Sequence, residues 1–151
     1  MNLYPFKLLV PLRGGGWRLN YSLDFFLGGG RRLPSVREFF AYIHSVEGRD
    51  VVYNNRVVGK IFMHPVMGKI YVTLRDYDSH VLKKWGTIGV SRDVIKRLIL
   101  EGVSYVVVAF RDAEKVFYTT PQKFMDLGKS YWNKKEGDMQ LHLPLSCFKS
   151  L

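Results

Sequence analysis

The sequence contains almost no cysteine and no long apolar stretch. Cys147 is the single cysteine in 151 residues, so an internal disulfide and a multi-cysteine metal site are excluded. A cysteine-poor chain is typical of a reducing compartment, which predicts an intracellular, cytoplasmic protein. No run of about 18 apolar residues without charges occurs, so neither a membrane span nor a membrane partner is predicted.

Motifs for nucleotide cofactors and for nucleophilic catalysis are also missing. The triple glycines at residues 14–16 and 28–30 lack the lysine and the helix-opening position that a phosphate-binding loop requires. No arrangement of serine, histidine and aspartate indicates a catalytic triad. We therefore predict no cofactor and favour a non-enzymatic function.

Positive charge is what the sequence has in excess. Lysine and arginine number 23 against 13 acidic residues, which gives a formal net charge of +10, and aromatic residues make up 15%. Cations neutralise phosphates and flat rings stack on bases, so this composition is typical of a nucleic-acid-binding protein. The alternative explanation is a solvated surface that only maintains solubility, although acidic residues serve that purpose at least as well.

The charge is concentrated in the first half of the chain. Residues 1–75 contain eleven basic and four acidic side chains, a net charge of +7. The ring-and-cation clusters around Trp85 and Trp132 lie in the second half. If the charge serves binding, the two halves must therefore meet across one cleft.

Three helices are predicted from their starting signals. Ser35 and Glu38 form a capping box that opens a helix to about residue 46. Ser91 is expected to cap a second helix that runs to about Leu100. Thr120, followed by a proline, predicts a short third helix that ends at residue 128.

Strand-like segments surround these helices. They comprise residues 51–53, 57–62, 69–74, 103–110, 115–119 and 139–145. Most connections are too short for parallel crossovers. We therefore predict a single α+β domain over residues 1–151, with a mainly antiparallel sheet and two to three helices packed on one face. Residues 35–148 form its core, and residues 1–34 are predicted to add an N-terminal β-hairpin.

Cations occur beside rings, beside a glycine-rich turn and along one helix face, and each arrangement favours contact with a nucleic acid. Arginines fork onto phosphates, and a ring in a polar stretch is available to stack on a base. The predicted nucleic-acid-binding residues are Arg31, Arg32, Arg37, Lys83, Lys84, Trp85, Arg92, Lys96, Lys129, Tyr131, Trp132 and Lys134.

A second pattern predicts a different chemistry. Asp76, Asp78 and His80 alternate along the chain, so on a strand all three side chains would share one face. Such a face is a candidate site for a divalent metal. In a loop the same residues are ordinary turn formers. The alternative function is therefore a metal-dependent nuclease or nucleotide-processing enzyme.

In overall layout the chain resembles the non-OB-fold single-stranded DNA-binding proteins of hyperthermophilic archaea. The resemblance covers residues 35–145 and rests on a small, basic α+β chain that is rich in valine and arginine. It implies a curved antiparallel sheet with helices, a basic cleft lined by aromatics that binds single strands, and a homodimer. The C-terminal leucine-zipper helix of the best-known members is missing, so that mode of dimerisation is not implied.

The leading interpretation is a protein that binds single-stranded DNA or RNA without catalysis. Lysines and arginines would neutralise phosphates, and Trp85, Tyr131 and Trp132 would stack on bases. A further alternative is a basic subunit of a ribonucleoprotein or other assembly, in which apolar strand edges contact a partner.

Overall fold

The computed structural model describes residues 32–151, so the predicted hairpin over residues 1–34 lies almost wholly outside the described residues. The helices of this part are α1 (Val36–Ser45), α2 (His80–Trp85), α3 (Arg92–Leu100) and α4 (Pro121–Leu127). Its strands are β1 (Arg49–Tyr53), β2 (Arg56–His64), β3 (Gly68–Arg75), β4 (Thr87–Ser91), β5 (Tyr105–Phe110), β6 (Lys115–Thr119), β7 (Lys129–Asn133), β8 (Asp138–Pro144) and β9 (Lys149–Ser150). No helix among the described residues has the length and apolarity needed to cross a membrane.

The helices begin where the sequence predicts. The Ser35 hydroxyl accepts a hydrogen bond from the backbone N–H of Glu38 at 3.1 Å, and the Glu38 carboxylate accepts one from the Ser35 N–H at 2.9 Å. This reciprocal pair is the predicted capping box. The Thr120 hydroxyl caps α4 by accepting from the N–H of Lys123 at 3.2 Å. Ser91 is the N-cap residue of α3 as predicted, but its side chain makes no capping hydrogen bond.

The strands form two sheets. One has six strands in the order β1-β2-β3-β5-β6-β9, and the other has three in the order β4-β8-β7. Only β3 and β5 pair in parallel, among the described strands, and the remaining pairs are antiparallel. The α+β class is therefore confirmed. So is the tight hairpin at Asn54 and Asn55, which have φ values of 52° and 63°.

The central strand β5 is buried on both of its faces. Val107 and Ala109 pack on one side with Phe39 of α1. Val108 and Phe110 pack on the other side within the core that includes α3, α4 and the three-stranded sheet. The helices thus lie on both faces of the six-stranded sheet rather than on one. A continuous apolar run such as that of β5 is the pattern of a strand covered on both sides.

The sequence prediction omitted α2, β4, β7 and β9. The strand β7 has the sequence KSYWN and is an edge strand of its sheet, so its residues are largely exposed on both faces. It therefore lacks the alternation of apolar and polar residues that marks a half-buried strand. The short β4 pairs with the distant β8, and a pairing of that range leaves no local signal.

His64 is a buried histidine that the fold keeps neutral. Its Nδ1 accepts hydrogen bonds from the backbone N–H groups of Val66 and Met67, both at 3.1 Å. Burial lowers the pKa of His64 from 6.5 to about 3. Below pH 6.5 the unfolded chain therefore takes up a proton that the folded chain rejects.

We expect acid to destabilise the protein through His64 before most carboxylates titrate. Below about pH 6, the free energy of unfolding should fall by about 1.4 kcal/mol per pH unit from this residue, because only the unfolded chain binds the proton. His64→Asn keeps an acceptor for the two backbone N–H groups but does not titrate. Denaturant unfolding at pH 7, 6 and 5 measures the free energy of unfolding of both proteins. An equal dependence of that free energy on pH in wild type and His64→Asn would contradict the expectation.

Candidate nucleic-acid interface

One face of the three-stranded sheet is open and carries a hollow. Ile88, Leu141 and Leu143 are buried on the opposite face, so the residues that alternate with them turn away from the core. The hollow has a volume of about 730 Å³. It is lined by Trp85, Thr87, Leu127, Lys129, Tyr131, Trp132, Asn133, Lys134, Lys135, Gln140, His142 and Pro144.

Turns on either side of the sheet bring the two tryptophans together. Gly86 ends α2 with a φ of 65° and lets the chain enter β4 directly after Trp85. In the β7–β8 turn, the Asn133 side-chain oxygen accepts hydrogen bonds from the N–H groups of residues 135 and 136, at 3.0 and 3.2 Å. This side chain fixes the turn that presents Lys134 and Lys135. Because β8 pairs with both β4 and β7, Trp85 and Trp132 line the same hollow.

The aromatic rings of the hollow are presented to solvent. Trp85 is 62% exposed, Trp132 60% and Tyr131 52%. The Tyr131 ring stands edge-on to His142, with the ring centroids 5.0 Å apart. The strand register places Trp132 opposite Met139, on the other side of β7 from Tyr131. Both rings line the hollow at the edge of the sheet, where β7 pairs with β8 alone among the described strands.

The hollow is positively charged. Lys129, Lys134 and Lys135 line it, and none of them forms a salt bridge with a described residue. Lys84 Nζ lies 5.1 Å from the centroid of the Trp85 ring, a cation–π contact. Among the described residues that line the hollow, none is acidic.

His142 forms part of the floor. Its Nδ1 lies 3.3 Å from the Thr87 hydroxyl oxygen, and its ring passes over Gly89, where an added Cβ would lie 2.9 Å from Cε1. A side chain at position 89 would therefore force the His142 ring to move. Desolvation, and then the positive charge of Arg75, lower the pKa of His142 from its ordinary value of 6.5. At neutral pH the ring is uncharged, so the lysines supply the charge of the hollow.

The titration of His142 tests this electrostatic arrangement. We expect its midpoint to lie below 6.5 in NMR spectra of the imidazole nitrogens. Arg75→Gln should raise the midpoint, because a repelling charge is removed, but should leave it below 6.5 because desolvation has the larger effect. Arg97→Gln removes an arginine that does not act on His142 and serves as the control. An identical midpoint in Arg75→Gln and wild type would contradict the assignment.

The hollow contains five of the predicted nucleic-acid-binding residues. Trp85, Lys129, Tyr131, Trp132 and Lys134 all line it. A sixth, Lys84, flanks it through its contact with Trp85. The sequence clusters around the two tryptophans, which are distant in the chain, thus come together in space.

The other predicted residues lie elsewhere. Arg32 pairs with Glu38 at 2.8 Å beside the start of α1, and Lys83 pairs with Asp78. The remaining described ones, Arg37 on α1 and Arg92 and Lys96 on α3, do not line the hollow. The last predicted residue, Arg31, lies outside the described residues.

Sequence reasoning missed several residues of the hollow. Thr87, Gln140 and His142 were not predicted, although Gln140 and His142 alternate with the buried Leu141 and Leu143. That alternation was the available signal, since a polar residue between two core positions of a strand faces the other way. Lys135 also lines the hollow and extends the cation cluster of Lys134.

The structure does not provide the strand on which the predicted metal site depended. The strand β3 ends at Arg75, so Asp76 and Asp78 lie in a turn and His80 is the first residue of α2. The Asp112 carboxylate holds this turn by accepting hydrogen bonds from the backbone N–H groups of residues 77 and 78, at 2.9 and 3.1 Å. The side chain of His80 lies outside the described ones, and among the described side chains no group of three or more His, Cys, Asp or Glu is placed to hold a metal ion.

Comparison with known proteins identified no relative of this chain. A scan against protein-family models, a search of curated proteins and a search of solved structures each found no match. Any assignment of function therefore depends on the geometry of the hollow.

Proposed function

We propose that the protein binds single-stranded nucleic acid, with DNA as the first substrate to test, in the hollow of the three-stranded sheet. Bases stack on Trp85, Tyr131 and Trp132, and Lys129 and its neighbours neutralise phosphates. The observation that carries the proposal is the combination of three exposed rings with three lysines that have no carboxylate partner among the described residues.

The rings support a single strand over a duplex. Large aromatic side chains that remain half-exposed in a concave surface mark an interaction site. A ring stacks on a base only when that base is unpaired and unstacked, and each such contact contributes about 1–3 kcal/mol. The floor of the hollow consists of strands, whereas most duplex readers insert a helix into the major groove.

The lysines support a charged, flexible ligand. Each phosphate contact releases condensed counterions, so affinity falls as salt rises, with a slope of about 0.7 per contact for single strands. Three unpaired lysines around one hollow therefore predict a slope near 2 from these residues. An apolar ligand would make no use of them.

The tryptophans provide the first test. Trp85→Ala and Trp132→Ala should each weaken binding of a fluorescent oligodeoxythymidine by about 1–3 kcal/mol, roughly 5- to 150-fold, because a stacking surface is lost. Anisotropy titrations against oligodeoxythymidine, oligouridine and a duplex of equal length measure the effect and the preference. Leu100→Ala removes a side chain that is 87% exposed on α3 and should leave the affinity unchanged. Duplex binding equal to single-strand binding would contradict the proposal.

A matched pair of charge variants provides the second test. The triple variant Lys129→Gln, Lys134→Gln and Lys135→Gln should lower the salt slope by about 2. The control triple variant, Arg37→Gln, Lys96→Gln and Lys149→Gln, removes the same charge from exposed positions that do not line the hollow. Titrations at several salt concentrations compare the two. An equal decrease of the salt slope in both variants would indicate that the charge of the hollow has no specific part in binding. Absence of binding at low salt would refute the proposed function.

A further inference from the structure

A second cavity continues the hollow between the two sheets. It has a volume of about 440 Å³ and shares Asn133 and Gln140 with the hollow. Thr73 and Arg75 line it from β3, and Ser91 lines it from β4. The hollow therefore lies next to these polar side chains.

Arg75 is held rigidly at this cavity with part of its guanidinium unused. Its Nε donates to the Thr73 hydroxyl at 3.1 Å, and its Nη2 donates to the Gly89 carbonyl at 2.9 Å. A guanidinium carries five N–H donors, so three remain, two on Nη1 and one on Nη2. Two neighbouring N–H groups of this kind form the fork that binds two oxygens of a phosphate.

Arg75 also supplies the net charge of the cavity. The charged residues that line it are Arg56, Arg75 and Glu136. Arg56 and Glu136 pair with each other at 3.0 Å, whereas Arg75 forms no salt bridge with any described residue. Burial lowers the pKa of Arg75, which reflects the cost of desolvating a cation without a partner. A bound anion would offset that cost.

A second polar group at the same place has an incomplete set of hydrogen bonds. Ser91 is 7% exposed, and its hydroxyl oxygen is buried; the Tyr53 side chain, which also lines the cavity, interacts with it but is not within normal hydrogen-bond distance. A buried hydroxyl with no partner costs free energy unless a ligand or water completes it. The Asp138 carboxylate is also buried and interacts with Tyr53, but it does not itself line the cavity.

We propose that this cavity is a phosphate-binding site, in which Arg75 and Ser91 bind one phosphate group of the strand that lies in the hollow. The proposal rests on the proposed function for the origin of the phosphate. That group is either a terminal phosphate or a phosphodiester within the strand. Both present the oxygens that the free N–H groups of Arg75 recognise.

Titration with inorganic pyrophosphate, followed by calorimetry on the full chain, tests the site without a nucleic acid. Arg75→Gln should weaken binding at least tenfold, and Arg75→Lys should also weaken it because a lysine keeps the charge without the fork. Arg97→Gln is the matched control, since Arg97 also donates to a backbone carbonyl, that of Val52 at 2.9 Å, and lines neither cavity. Ser91→Ala keeps the proposal testable if the arginine variants do not fold. Equal binding by wild type, Arg75→Lys and Ser91→Ala would overturn it, as would no binding by wild type.

Oligonucleotides with a 5′-phosphate, a 3′-phosphate or hydroxyl ends then distinguish the two sources. A terminal site predicts tighter binding of one phosphorylated end, and Arg75→Gln should abolish that preference. An internal site predicts that Arg75→Gln lowers the affinity for all three oligonucleotides equally, with a salt slope lower by about 0.7. Unchanged affinity and slope for all three would overturn the assignment to the strand. If no oligonucleotide binds but pyrophosphate binds in an Arg75-dependent way, the phosphate site stands and the proposed function fails.

Discussion

The alternation of side chains along β8 is the constraint on which the candidate site depends. Leu141 and Leu143 are buried against α3 and the six-stranded sheet, so the residues between and beside them must face outward. Gln140 and His142 thereby become the floor of the hollow, and the pairing of β8 with β4 and β7 brings in Trp85 and Tyr131. A shift of one residue in this register would bury His142 and expose the leucines. The same hydrophobic contacts that hold the small sheet in place therefore also orient its binding face.

Arg75 connects this small sheet to the large one. It belongs to β3, yet its guanidinium donates to the carbonyl of Gly89 in β4. A hydrogen bond from a charged donor contributes about 1.5–3 kcal/mol, while the desolvation of an unpaired cation costs several kcal/mol. A cation with free N–H groups beside the buried Ser91 hydroxyl fits a junction that binds an anion as well as joining two sheets.

Local signals determined how much of this structure could be predicted. The capping box of Ser35 and Glu38 and the turn at Asn54 and Asn55 involve residues that are close in sequence, and the structure confirms both. The clusters around Trp85 and Trp132 were also visible, because rings in polar stretches stand out. The pairing of β4 with β8 is a long-range contact that no local pattern reveals. The position of Arg75 at the cavity follows from that pairing, so sequence alone did not distinguish it from an ordinary strand-end arginine.

The net charge of the chain matters less for binding than the location of its acids. Several exposed cations are paired with carboxylates, such as Lys60 with Asp50 and Arg49 with Glu101. Exposed pairs of this kind contribute about 0–1 kcal/mol to stability. Their larger effect is to cancel charge on those surfaces, since at physiological salt the potential of a charge extends only about 8 Å. Among the described residues the hollow has lysines and no acid to cancel them. A ligand near Trp132 therefore meets the positive charge of Lys129, Lys134 and Lys135.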